Sequence, residues 1–148
     1  MFKASIKAEI MNEALNALIA FLDEAKFNLN ADGITTKAID PANVAMVDLK
    51  LSKAAFESFS CDSAVIAIDL IKLSDVLGMA REGDLVELEL DEIGHRLRVS
   101  YNGITYTLSL LDPSAIGKEP KMPTLSPPCK VIVDGTQVRR AVKAAEKV

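Results

Sequence analysis

One order of patterns, a strand, a helix and then three strands, is written twice in succession before Asp112, and few folds accommodate that. Phe2–Lys7 reads as a strand. From Glu9 to Leu22 the apolar residues Ile10, Met11, Ala14, Leu15, Leu18 and Leu22 fall at the spacing of one buried helical face. The opposite face shows Glu9, Asn12, Glu13 and Asn16, with no Lys or Arg. Lys26–Asn30, Ile34–Ile39 and Val44–Leu51 follow as strands. The order restarts at Val65–Leu70, and Lys72–Ala80 then reads as a short helix burying Leu73, Val76 and Leu77. Gly78 weakens that helix by ~1 kcal/mol relative to Ala. Leu85–Leu90 alternates cleanly, Arg96–Tyr101 returns, and Asn102-Gly103 signals a tight hairpin into Ile104–Leu110. The prediction is an α+β domain of two βαβββ units, with antiparallel sheets and two helices on one face.

Between Asp112 and Pro128 the composition changes, because five of the six prolines fall there. Proline lacks the N–H that a helix interior or central strand requires, so 112–128 reads as an extended linker. Residues 129–148 then resemble the start of the chain. Lys130 and Val133 stand 127 positions after Lys3 and Ile6, and Val138, Ala141, Val142 and Ala145 stand 127 after Met11, Ala14, Leu15 and Leu18. The expected organisation is one complete domain over 1–111, a linker over 112–128, and the first strand and helix of a second domain over 129–148. On that period a full second copy would end about 100 residues beyond Val148, so the chain reads as a fragment. A lone strand and helix lack a core, and 129–148 are expected to be loosely held.

With 49% hydrophobic and 26% charged residues the chain is globular. No apolar run approaches the roughly 20 residues needed to cross a bilayer, and the first ten residues lack the apolar segment of a signal peptide. Cys61 and Cys129 have no CxxC partner and no accompanying His, which suits a reducing cytosol and argues against a disulfide framework or a zinc site. Net charge is −4, yet the residues from Val131 onward hold four Lys or Arg against two Asp or Glu. Any nucleic-acid contact by so acidic a body must be local. Phosphate-binding Gly-rich loops, HExxH and GxSxG are absent. A Cys61–His95 nucleophile pair is the remaining hydrolase reading, and it requires a depressed cysteine pKa.

Asp32–Leu51 is the stretch open to two readings. Asp32-Gly33 is a turn pair, and Asp40-Pro41-Ala42-Asn43 interrupts the strand pattern. Ile39, Val44 and Met46 are therefore apolar residues flanking a turn, where burial is hardest to complete. They are either ordinary core or an apolar docking pocket.

The segments GITTKAIDPANVAMVDLKL and CDSAVIAIDLIKLSDVLGMA, then a strand ending LSLLD before a proline-rich linker, resemble DNA sliding clamps of the proliferating cell nuclear antigen type, the archaeal form most closely. The resemblance runs from Met1 to Val148. It implies a non-enzymatic processivity factor in the cytoplasm, at the nucleoid, with no cofactor and no metal. It implies a homotrimeric ring that encircles duplex DNA and tethers DNA polymerase, clamp loader, nuclease and ligase through a short docking motif. The implied docking pocket is Ile39, Val44 and Met46 with Met122, Pro123 and Leu125 from the linker; Met suits such a surface because its thioether adapts to varied partners. The implied subunit contact is the edge strand carrying Ile104, Tyr106, Leu108 and Leu110. Its partner strand belongs to a second domain, so the chain as given is expected not to close a ring.

In such clamps the helices line the hole and meet phosphates without reading bases. The implied contacts here are Arg139, Arg140, Lys143 and Lys147, which recur at helical spacing, with Lys72 and Arg81 from the first domain. The alternative for the C-terminal group is a solvated basic face. Near Asn12, Ile19, Asp75 and Gly78 the family's lysines are replaced, which leaves DNA contact by the first domain weak and salt-sensitive, or absent. The competing reading of the whole chain is a stand-alone peptide-binding adaptor that never encircles DNA.

Overall fold

Alternation along the strands and a helical stripe in each helix leave apolar faces that must meet. In the computed structural model, which describes residues 1–147, they meet in one core. The elements are β1 (Phe2–Lys7), α1 (Ala8–Ile19), β2 (Glu24–Asn30), β3 (Gly33–Ile39), β4 (Met46–Ser52), β5 (Ser58–Cys61), β6 (Ala64–Asp69), α2 (Leu70–Leu77), β7 (Leu85–Asp91), β8 (Arg96–Tyr101), β9 (Ile104–Ser109) and α3 (Gly135–Ala145). A five-stranded sheet runs β5-β1-β7-β8-β9 and a four-stranded sheet runs β4-β3-β2-β6, with every pairing antiparallel. α1 and α2 lie against each other. A small apolar void between Phe2, Leu15, Phe27, Ile66, Leu73 and Leu97 marks where both sheets and both helices converge.

The two βαβββ units are both present, but they trade their first strands. β1 pairs with β7 of the second unit, and β6 pairs with β2 of the first. A hydrogen bond seals each exchange. The N–H of Ala8, which opens α1, donates to the Asp84 carbonyl just before β7 (2.9 Å), and the N–H of Leu70, which opens α2, donates to the Asp23 carbonyl just before β2 (2.8 Å). The helix starts thus share one local geometry.

α2 begins at Asp69, whose carboxylate accepts the Lys72 N–H (3.0 Å) as an N-cap. It stops at Gly78, earlier than the periodicity through Ala80 implied, because Gly78 serves as its C-cap. Its orphan carbonyls are used: the Tyr101 hydroxyl donates to Val76 (2.6 Å) and the Asn12 amide to Leu77 (3.4 Å). Gly33 has φ of +140°, and a Cβ there would stand 2.1 Å from the Leu51 carbonyl oxygen, so no other residue fits the β2–β3 turn.

Three expectations are corrected. β5 was not anticipated; four residues with weak alternation become a strand only because β1 offers an edge. The last strand of the first unit starts at Met46 and not Val44, since Asp40 holds the Val44 and Ala45 amides in a turn. The helix of the C-terminal restart forms as α3, but Lys130–Val133 is not a strand, for among the described residues nothing pairs with it. The body forms without it.

Replacing Tyr101 with Phe should cost about 1–3 kcal/mol, the penalty for leaving the buried Val76 carbonyl unpaired. The expected readout is a lower denaturant midpoint at unchanged m-value.

Candidate docking groove, helix faces and sheet edge

β2 and β3 begin as a hairpin and then part. Their paired positions are Asn28–Thr35, Leu29–Ile34 and Asn30–Gly33, after which β2 stays with β6 and β3 stays with β4 along its full length. The opening on the outer face of the sheet is roofed by the linker. Lys26 Nζ donates to the carbonyls of Ile116 (3.2 Å) and Gly117 (3.3 Å), and the Asn28 amide donates to Glu119 Oε2 (3.2 Å). A groove results, walled by Lys26, Asn28, Lys37 and Ile39 on the sheet and by Ile116 and Pro120 on the linker.

Of the six residues expected to form a docking pocket, this places Ile39 in the wall. Met46 is its Cα partner across β3 and β4, so the two side chains are neighbours. Val44 stands at the turn tip, 85% exposed. Asn43 adopts φ of 56°, and Asp40 Oδ1 accepts the N–H of Val44 (2.7 Å) and of Ala45 (2.8 Å), which fixes the tip. Met122, Pro123 and Leu125 are exposed and lie outside the groove wall; Ile116 and Pro120 supply the linker side instead. Lys26 and Asn28 were not singled out in the sequence. Their alternation onto the outer face of β2, beside a linker in need of an anchor, was the available signal.

The helix faces divide by charge. Lys72 is exposed, but its ammonium pairs with Asp69 (2.9 Å), which holds its pKa up; Asp69 in turn is lowered by the Lys72 N–H and ammonium. Arg81 is exposed and its backbone N–H donates to Asp84 Oδ2 (2.8 Å). Beside them α1 presents Glu13 and Asn16 to solvent. α3 is different. Asp134 caps it by accepting the Thr136 N–H (2.8 Å), and Arg139, Arg140 and Lys143 are all exposed at helical spacing, with Lys147 just beyond its end. Val138 and Val142 on the same helix are exposed too, so both faces of α3 are open to solvent.

β9 is the edge of the five-stranded sheet. The register Tyr101–Ile104, Val99–Tyr106 and Leu97–Leu108 turns Ile104, Tyr106 and Leu108 to the core side, yet they remain only partly covered. Tyr106 stacks on Tyr101 at 6.3 Å. Leu110 continues past the strand with its N–H on the His95 carbonyl (2.9 Å), and Leu111 crosses to the Ala67 carbonyl of β6 (2.9 Å). The Cys61–His95 reading loses ground, since burial pushes the Cys61 thiol up and its Sγ donates to the Asp62 carbonyl (2.7 Å). A nucleophile needs the opposite shift. Among the described residues no group of three or more His, Cys, Asp or Glu is placed to hold a metal, and no helix is long and apolar enough to cross a membrane.

Residues 1–104 match the family model described as "Proliferating cell nuclear antigen, N-terminal domain". The chain belongs to the proliferating cell nuclear antigen family. Relatives named DNA polymerase sliding clamp, from Methanosarcina barkeri and Methanosarcina mazei, are each 49% identical over all 148 residues, and one from Natronomonas pharaonis is 45% identical. The chain spans 60% of the length of each. An A. fulgidus PCNA solved with the C-terminal region of FEN-1 bound is 33% identical, with a TM-score of 0.94 over 100% of this chain and 60% of that one. A PCNA from Thermococcus kodakaraensis is 32% identical, with a TM-score of 0.88 over 100% of this chain and 61% of that one. The two-sheet architecture of this PCNA-family chain is therefore the family fold.

The Asp40 carboxyl is held below its ordinary value of 3.8 chiefly by the N–H of Ala45, then by that of Val44. A depressed folded pKa means the turn gains stability above pH 3.8 and loses it as pH falls through the lower folded value. The Val44 and Ala45 amide proton shifts should therefore titrate with a midpoint below 3.8, and a midpoint at or above it would remove Asp40 as the anchor of the tip. Replacing Lys26 with Met should free the linker, seen as faster proteolytic nicking between Ile116 and Pro120 with the melting of the body little changed.

Proposed function

We propose that the chain is the first domain (1–111), connecting linker (112–128) and opening of the second domain (129–148) of a DNA polymerase sliding clamp. Such a clamp is a non-enzymatic processivity factor. Three copies of the whole protein close head to tail around duplex DNA in the cytoplasm and tether DNA polymerase, clamp loader, nuclease and ligase. The observation that carries this reading is the match of the entire chain, at a TM-score of 0.94, to a PCNA solved with a bound FEN-1 segment.

Each surface has a part in it. The β2–β3 groove, with Ile39, Met46 and the exposed Val44, receives the apolar side chains of a docking motif, and Met122, Pro123 and Leu125, exposed further along the linker, fold over the bound segment. The half-covered Ile104, Tyr106, Leu108 and Leu110 at the open edge of β9 suit burial against another copy. Arg139, Arg140, Lys143 and Lys147 suit phosphate contact, worth about 0.9 in the log–log salt slope per phosphate neutralised. Lys72, already paired with Asp69, contributes less than Arg81 or the α3 residues.

The test is a titration of labelled FEN-1 C-terminal peptide by fluorescence anisotropy. Replacing Ile39 with Asp should weaken binding by at least about tenfold, roughly 1.4 kcal/mol. Unchanged affinity would move docking elsewhere. A clamp should also stay on closed circular DNA through a high-salt wash and leave when the circle is cut. An adaptor that never encircles DNA would show no dependence on topology.

A further inference from the structure

The apolar wall of the β2–β3 groove is accompanied by charge that docking of apolar side chains does not use. Lys37 lines the groove half-buried. Among the described residues its ammonium makes no ion pair and its side chain no hydrogen bond, although Asp48 is its Cα partner on β4. Two other charged groups of the wall are committed, Lys26 to the linker carbonyls and Glu119, the one carboxylate in the wall, to Asn28. Lys118 adds a further cation on the linker side. In a chain of net charge −4, this groove gathers three lysines against one glutamate.

We propose that the groove selects partner segments that carry a carboxylate beside their apolar anchor, and that Lys37 receives it. This rests on reading the groove as a partner-docking site. Lys37 and Ile39 are two positions apart on β3, so both face outward, roughly 7 Å apart along the strand. An extended segment presents alternate side chains on one side at the same spacing. The fitting occupant is therefore an extended protein segment with an aliphatic residue and a Glu or Asp at alternate positions. The aliphatic wall of Ile39, Ile116 and Pro120 favours a protein segment over the phosphates of a nucleic acid. Lys37 is here a specificity residue; Ile39 and its apolar neighbours retain the anchor.

The experiment uses the whole chain and two synthetic fluorescent peptides identical except for Leu-Ser-Glu or Leu-Ser-Gln at their centre. At low salt the glutamate peptide should bind about fivefold more tightly. The gap should close in 1 M salt, where the screening length is about 3 Å, and in Lys37→Gln, while Ile39→Ser weakens both peptides alike. Equal affinity of the two peptides for the unaltered chain, with both lost in Ile39→Ser, would overturn the role of Lys37 and leave docking intact. Failure of both peptides to bind the unaltered chain would overturn docking and the Lys37 inference together. Displacement of the glutamate peptide by a short DNA duplex from the unaltered chain, but not from Lys37→Gln, would assign Lys37 to phosphate and overturn the proposal.

Discussion

Neither βαβββ unit can satisfy its own strands, and the rest of the molecule follows from that exchange. β1 finds its hydrogen-bond partners on β7, some eighty residues away in sequence, and β6 finds its partners on β2. The helices are carried by the exchanged strands, so α2 is set against β2 of the other unit and α1 against α2. The Ala8–Asp84 and Leu70–Asp23 bonds fix the point at which each chain leaves its strand. With α1 and α2 thereby brought side by side, one core serves both units, and neither folds without closing the long loop to the other. Such closure costs entropy that grows only slowly with loop length.

The same arrangement decides where free edges remain. β5 and β9 end one sheet, and β4 and β6 end the other. β6 is tied to Leu111 just past β9, which joins the two sheets at the exit of the domain and points the chain into the linker. The linker turns back at once across the outer face of β2, held by Lys26 and Asn28. The groove is thus assembled from two sequence regions about ninety residues apart, and its geometry depends on the order of strands in the sheet.

Much of this was legible in the residues. Period two and the helical stripe located eight of the nine strands and both helices of the body, because those patterns report which face is buried. They do not report partners. The strand exchange was invisible for that reason, and β5 was missed because Ser58–Cys61 owes its strand form to the free side of β1. Val131, Ile132 and Val133 illustrate the converse: an apolar β-branched run reads as a strand, yet without a neighbouring edge it remains irregular and exposed. Ile39, Val44 and Met46 are legible as apolar residues around a turn, while nothing in the local pattern singles out Lys26, Asn28 or Lys37. Their significance arises from the linker above them, which local patterning cannot supply.

The parting of β2 from β3 has a wider meaning. A sheet gains by zipping every rung, and here four residues at the end of each strand forgo it. The opening lies between two partnered ladders, so the strands on either side are stiff while the space between them is adjustable. Whatever enters can be accommodated by small changes in the splay, without disturbing the core beneath. The cavity is in effect a seam left open in the cloth, and stitching it closed would strengthen the fabric at the expense of the groove itself.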